Sequence, residues 1–381
     1  MNKIFEKGGK LHFLHSTVDA FETFLRVPGT VAQKGAHVRD SIDLKRIMII
    51  AVISVIPAAL FGMWNVGYQH ALAVQGPGAP LDILGNFWFG FLKVLPLYVV
   101  AYGVGLFIEF AFAQIRNEEV NEGYLMSGML IPLIVPVDVP LWMLAAAVAF
   151  AVLLGKEVFG GTGMNIWNPA LLARAFLFFS YPDHMSGSGS WIALRKGEAL
   201  LDGATGATPL SFLSDGMDAL TSAGTQYGTS FWDLFVGTVP GSVGETSVIA
   251  ILLGAILLLW TGVASWKIMV SSVAGALLVG WLGNVCGATD VPALTQLVLG
   301  GFAFGTVFMA TDPVTSAQTE CGKWIYGFLV GAICVIVRLF NPCYAEGMML
   351  AILLGNTFAP IIDWVVVNRH TSRKAKKLRI A

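Results

Sequence analysis

Charge is scarce in this chain. Asp, Glu, Lys and Arg make up 12% of its 381 residues against 56% apolar ones, and the mean hydropathy is +0.72. Soluble domains carry about 25% charged residues, so a fold that hides this apolar surface in one aqueous core is excluded. Cysteine is also scarce. Cys286, Cys321, Cys334 and Cys343 form no C-x-x-C pair and read as buried or incidental thiols. This spacing argues against a self-contained iron-sulfur cluster and leaves open one shared with a partner chain. The apolar runs lack the alternation of a β-barrel. Gly161-Thr162-Gly163 and similar patterns lack a strand-turn-helix context, which removes a Rossmann nucleotide site. Residues 1–46 contain neither the short apolar stretch nor the small-residue cleavage site of a secretory leader. A net charge of -1 names no partner by itself, and no nucleic-acid partner is expected.

What the chain has is apolar runs, at 47–64, 87–115, 124–136, 141–155, 168–181, 246–265, 268–286, 293–311, 323–340 and 346–367. They predict an all-α integral membrane protein of about ten transmembrane helices in the lipid bilayer. Runs 124–136, 141–155 and 168–181 fall short of the roughly 20 residues a span needs and suggest broken helices. With the N-terminus inside, the inside segments collect the basic residues of the arm, then Arg116, Lys156, Lys267, Lys323 and the tail Arg369–Arg379. Outside fall only Arg195 and Lys196, while Lys93, Arg174 and Arg338 lie within spans. The positive-inside rule therefore predicts two cytoplasmic termini in a bacterial inner membrane. The expected organisation is a cytoplasmic arm at 1–46, five helices in 47–181, an outer loop at 182–245, five more helices in 246–367 and a basic cytoplasmic tail at 368–381. Five spans per half give the halves opposite orientations, as in an inverted repeat. Gly123, Gly128 and Pro136-Val137 match Gly300, Gly305 and Pro313-Val314 at one constant spacing. Asn168-Pro169 and Asn341-Pro342 recur near the fifth run of each half.

Several polar residues stand out against this background. In the outer loop, Asp202-Gly203-Ala204-Thr205-Gly206-Ala207-Thr208 combines close-approach glycines with a hydroxyl able to form a phosphoester. No histidine base accompanies Thr208, so a modification there needs a separate enzyme. Asp202 either orients the loop or marks an Asp-Gly turn. Glu109 lies in the second run, where a carboxylate serves an ion or proton, pairs with a cation, or snorkels to the interface. Asp312, before Pro313, and Asp363, in the last run, are further Na+ candidates because hard cations take oxygen ligands. Asp312 reads equally as a helix-ending turn. Asn165 and Asn168 suit a flavin edge or a helix cap. Arg174 needs an acceptor, either flavin or acid, and Lys93 is expected to snorkel outward.

The loop resembles the D-G-x-[ST]-G-A-T sequence at which a flavin transferase attaches FMN through its phosphate to the final threonine. Lys45-Arg46-Ile47-Met48, Val120-Asn121-Glu122-Gly123, Gly155-Lys156-Glu157-Val158-Phe159, Phe308-Met309-Ala310-Thr311-Asp312-Pro313 and Glu346-Gly347-Met348-Met349 point the same way. Together they resemble the NqrB family, the flavin-bearing membrane subunits of the Na+-translocating NADH:quinone oxidoreductase, related to the RnfD subunits of the Rnf complex. The arm ending in His37-Val38-Arg39-Asp40 favours the former. The resemblance implies covalent FMN on Thr208, with Asp202 and Gly206 in its loop, and a noncovalent riboflavin near Asn165, Asn168 and Arg174. It implies a ubiquinone region at Gly105, Glu109, Glu122, Gly123 and Tyr124, with Na+ entry nearby. It also implies partner subunits (NqrA, NqrC, NqrD, NqrE and NqrF), with NADH oxidised on one of them. An Rnf-type subunit, a flavin-free scaffold subunit, and an inverted-repeat transporter or channel without redox chemistry stay open.

Overall fold

The computed structural model describes residues 34–36, 44–76, 82–116, 123–185, 191–195, 197–198, 200–201, 206–223, 229–341 and 346–380. Asp202, Glu122, Cys343, Pro342, Lys196 and nearly all of the arm lie outside the described residues. Among those described, the regular structure is helical throughout. In lipid, helices satisfy every backbone group internally.

Among the described residues, ten helices carry the architecture. They are α1 (Leu44–Gln75), α2 (Ile83–Arg116), α3 (Tyr124–Ile134), α4 (Leu141–Gly155), α5 (Pro169–Ser180), α6 (Val248–Thr261), α7 (Trp266–Val285), α8 (Ala293–Val298), α9 (Glu320–Phe340) and α10 (Met348–Ile380). Six of them are long and apolar enough to cross a membrane, while α3, α5 and α6 are shorter apolar helices. The run at 293–311 is not one helix. It divides into α8, a turn at Phe302–Phe304 and a π-turn at Gly305–Met309, closed by Ala310 N donating to Gly305 O at 2.7 Å. Gly300, at φ +57, supplies the left-handed residue at this break. The basic segment after Asn368 continues α10 instead of forming a separate tail.

Small residues set the closest crossings. A Cβ on Gly331 would enter the backbone of Ser272, and Ser272 Oγ donates to Gly327 O at 2.9 Å, so α7 and α9 touch backbone to backbone. Helix α1 packs on α2 and α6, α2 on α4, α4 on α5, and α9 on α10. Large apolar side chains such as Trp88, Phe107, Trp260 and Trp281 are left on the surface, as a lipid solvent allows.

The stretch between α5 and α6 is built from short pieces. A 3-10 helix (Pro209–Asp215) and a short helix (Phe231–Val236) bury Leu210, Leu213 and Leu234 against Val291, Val298 and Leu299. Ser230 and Asp233 form a capping box on the second piece. The loop after it reaches into the bundle. Gly244 N donates to Leu133 O at 2.8 Å, satisfying a carbonyl at the broken end of α3. Nearer the start of the stretch, Glu198 Oε2 sits 2.7 Å from His70 Nε2 and accepts from Arg195 N at 3.0 Å. The His70 bond above all holds that carboxyl below the usual carboxylate range. Lys93, expected to snorkel, meets the same stretch, donating to Leu194 O at 2.7 Å.

Candidate functional site

Two cavities flank α5. Its first residue follows Asn168, whose Oδ1 accepts from Ala170 N at 3.0 Å and Leu171 N at 3.4 Å, so the asparagine is a helix cap with Pro169 at the first turn. Asn168 and Pro169 line one cavity, and Arg174 and Phe178 line the other. Six residues of helix between Asn168 and Arg174 rise about 9 Å.

The first cavity has about 750 Å³ of empty space, part of it open to solvent. Gly123, Met126 and Leu130 of the α3 region face Leu258 and Phe308 across it, and Asn165, Asn168 and Asp312 give it a polar side. Asp312 accepts from Val314 N at 3.1 Å and Thr315 Oγ1 at 3.0 Å, the bonds of a helix-ending turn. Its Oδ2 also accepts from Asn168 Nδ2 at 3.4 Å. Residues 144 positions apart in sequence thus form one polar edge. Such an edge against apolar walls fits a planar heteroaromatic ring.

The second cavity has about 950 Å³ of empty space, part of it open to solvent. Thr208 stands on its rim immediately before the 3-10 helix. Its backbone is extended (φ -81, ψ 156), its hydroxyl makes no capping hydrogen bond, and its carbonyl accepts from Ser211 N and Oγ at 3.0 and 2.7 Å. The loop geometry therefore commits the Thr208 carbonyl to Ser211, while the residue itself lines the cavity. Gly206 is buried just behind it. At the cavity's buried end, Arg174 Nη1 donates to Glu245 at 2.6 Å and Nη2 reaches Glu346 at 2.6 Å. The acceptors that Arg174 required are acids, and the side chain lies with Thr208, not with Asn165 and Asn168. Arg338, only 2% exposed, donates to Gln296 O at 2.5 Å and Leu299 O at 2.9 Å, fixing the helix break that walls this cavity.

A third cluster joins the first cavity. Tyr124 is fully buried, its hydroxyl donates to Ala101 O at 2.7 Å, and a Cβ on Gly105 would strike its ring. Glu109, buried near the end of α2, pairs with Lys156 at the end of α4, so of its open readings cation pairing is the one the geometry displays. Lys156 also lines the Asp312 cavity and lies 5.9 Å from the Tyr124 ring centre. Asp363 joins neither site: it accepts from Gln318 N, Thr319 N and Thr319 Oγ1 at 2.7, 3.0 and 2.5 Å, organising the start of α9. Among the described residues no three His, Cys, Asp or Glu side chains converge as a metal site. Cys334 is buried, and Cys286 and Cys321 are exposed.

Sequence reasoning did not assign Lys156, Glu245, Glu346 or Arg338 to a site. Lys156 follows a glycine at the end of an apolar run and reads as an interfacial loop cation. The two glutamates carry a signal only in the need of Arg174 for acids.

A family model described as "NQR2, RnfD, RnfE family" matches residues 31–372. The chain is 43% identical over 396 residues to a protein of Stutzerimonas stutzeri (strain A1501) whose name makes it the B-type subunit of a Na(+)-translocating NADH-quinone reductase, covering 97% of this chain and 96% of that one. A protein of the same name from Azotobacter vinelandii is 44% identical with the same coverage. One from Klebsiella pneumoniae (strain 342) is 42% identical over 405 residues, covering 98% and 97%.

Proposed function

Since the chain belongs to the NQR2, RnfD, RnfE family, and matches B-type subunits named for Na+-translocating NADH-quinone reductase along nearly its whole length, we propose that it is such a subunit. In this reading FMN is esterified to Thr208, riboflavin lies in the Asp312 cavity, and ubiquinone is reduced beside Gly105, Glu109, Gly123 and Tyr124. Flavins supply one-electron transfer. The observation that carries the reading is α5 itself, whose first residue lines one cavity while Arg174 at its middle lines the other, with a separation of about 9 Å along the helix.

The residues fit both groups. Asn165, Asn168 and Asp312 offer donors and acceptors to a ring edge, and Met126, Leu130 and Phe308 exclude water from its faces. At the other end, the Thr208 hydroxyl anchors a phosphate, and Phe178, Trp191 and Pro240 offer apolar contact. The NADH-oxidising step and the flavin transfer belong to other proteins of the complex and its assembly.

The protein spans a bacterial inner membrane with both termini cytoplasmic, as two inverted five-helix halves. Matching packing supports this repeat: the second helix of each half lies on the fourth, and the fourth on the fifth, while α1 meets α6 and α5 meets α10 across the halves. The Thr208 cavity then faces outward and the Glu109 cluster inward.

The deciding experiment is the mass of the peptide 197–223 from protein made with its flavin transferase. The wild type carries one FMN, whereas Thr208→Val carries none and loses NADH-driven ubiquinone reduction and Na+ uptake in vesicles. A bare wild-type peptide rejects the reading. A second expectation concerns Gly105→Ala. The added methyl pushes the Tyr124 ring aside, and the KM for a short-chain ubiquinone rises about tenfold while covalent flavin is retained. An unchanged KM removes Gly105 and Tyr124 from the quinone region.

A further inference from the structure

The segment 191–201 forms no helix or strand among its described residues, yet hydrogen bonds tie it down at three positions. Leu194 O accepts from Lys93 Nζ at 2.7 Å, and Leu194 N donates to Asp138 Oδ2 at 3.3 Å. Glu198 Oε2 lies 2.7 Å from His70 Nε2, and Leu201 N donates to Ala73 O at 3.1 Å. The Phe89 ring stacks on His70 with 4.1 Å between ring centres and has the Arg195 guanidinium 5.4 Å from its own centre. The segment is therefore a strap across the end of α1 and the start of α2.

Ordering a coil costs conformational entropy at every residue, and one surface ion pair contributes too little to offset it. Three of these four hydrogen bonds end on main-chain groups of the strap, so they fix where its backbone runs instead of merely pairing charge. What the strap carries gives this attachment a purpose. Its first residue, Trp191, is half-buried and lines the cavity that also holds Thr208. Its last, Leu201, immediately precedes Asp202–Thr208. Glycines give that motif little stiffness, so its course depends on its two ends, Leu201 bonded to Ala73 and the Thr208 carbonyl bonded to Ser211. Glu198 stands between Trp191 and the motif, and its partner His70 belongs to α1. One contact thus references both the cavity wall and the attachment loop to a rigid helix.

We propose that the His70–Glu198 pair is a latch that positions the flavin at Thr208: by fixing the strap to α1, it holds Trp191 as the face against which the isoalloxazine ring stacks. This rests on the reading of Thr208 as the attachment site. Indole and isoalloxazine are both planar aromatic systems, and such rings favour offset stacking with centres about 4.5–7 Å apart. A cavity partly open to solvent does not set the tilt of a ring by enclosure; a fixed aromatic wall does. Trp191 makes the contact, while His70 and Glu198 are positioning residues that act through it.

The test uses the full-length chain in detergent, made with its flavin transferase. The mass of peptide 197–223 first establishes the flavin. Time-resolved emission then separates stacked from unstacked ring, since contact with tryptophan quenches flavin fluorescence, and the Thr208→Val chain is the blank for noncovalent flavin. In the wild type the quenched, short-lived component dominates. Trp191→Leu raises the long-lived component about fivefold, as loss of one aromatic contact predicts. Glu198→Ala and His70→Ala each raise it too, and together no further than either alone, because they break one latch. Their side chains are 27% and 12% exposed, so neither truncation strands a fully buried charge. Glu198→Gln, which still accepts from His70, keeps most of the quenching. In the Trp191→Leu background Glu198→Ala adds nothing. A bare wild-type peptide overturns the flavin reading and the latch with it. A flavinylated peptide whose emission ignores Trp191→Leu, or ignores both Glu198→Ala and His70→Ala, overturns the latch alone, as does a Glu198→Ala effect that persists without Trp191.

Discussion

Arg174→Ala is expected to prevent the protein from accumulating in the membrane. The change withdraws the guanidinium from Glu245 and Glu346, whose side chains are 9% and 15% exposed. Removing one partner of a buried ion pair costs about 3–5 kcal/mol, and here one removal affects two acids. Native proteins have only about 5–15 kcal/mol in total, so most of the margin is consumed. Immunoblotting of membranes and the thermal midpoint of the complex in detergent measure the effect. Arg174→Met combined with Glu245→Gln and Glu346→Gln removes all three charges and restores accumulation, because no uncompensated charge is left. Arg174→Ala protein at wild-type level and thermal midpoint would show that the triad holds nothing together.

The second large effect belongs to Arg338→Met. This guanidinium serves the carbonyls of Gln296, Leu299 and Glu346, the last from Nε at 3.3 Å. Methionine fills the volume but donates nothing. Glu346 O keeps its bond from Met348 N at 2.7 Å, so the carbonyls of Gln296 and Leu299 are the ones left unpaired at about 1–3 kcal/mol each, and a total loss of about 2–6 kcal/mol is expected. The damage centres on the break at Val298–Gly301, which walls the Thr208 cavity. Limited proteolysis of the 206–245 stretch is therefore expected to accelerate. Arg338→Lys retains part of the wild-type resistance through one or two donors. If Arg338→Met and wild type are digested at the same rate, the guanidinium does not hold the break.

The sequence made the membrane class legible because apolar runs are a local property, and lipid demands helices of them. It also marked Thr208, since a glycine-rich loop with a terminal threonine is a local pattern. Helix ends were less visible. The run at 293–311 hides its break because Val298 and Leu299 are as apolar as a continuous helix would be, and only Gly300 hints at the turn. Helix α10 continues past its apolar run because Lys and Arg are good helix formers once a helix has nucleated. Partnerships were the least visible. Asn168 and Asp312 were each singled out for chemistry, yet nothing local joins residues 144 apart. Glu109 was read with a cation as one option, and the cation itself, Lys156, looked like loop charge. Asp363 shows the opposite case: a carboxylate at membrane depth turned out to organise three donors at the start of α9.

Helix α10 sets a geometry of its own. Its 33 residues make a rod of about 50 Å, while the hydrocarbon layer is about 30 Å thick. About 20 Å of helix therefore extends beyond the hydrocarbon layer, carrying Arg369, Arg373, Lys374 and Lys376, all exposed. A stiff post of that height works as a spacer: whatever docks on its tip is held at a fixed stand-off from the membrane surface, whereas a slack peptide of the same composition would let the distance wander.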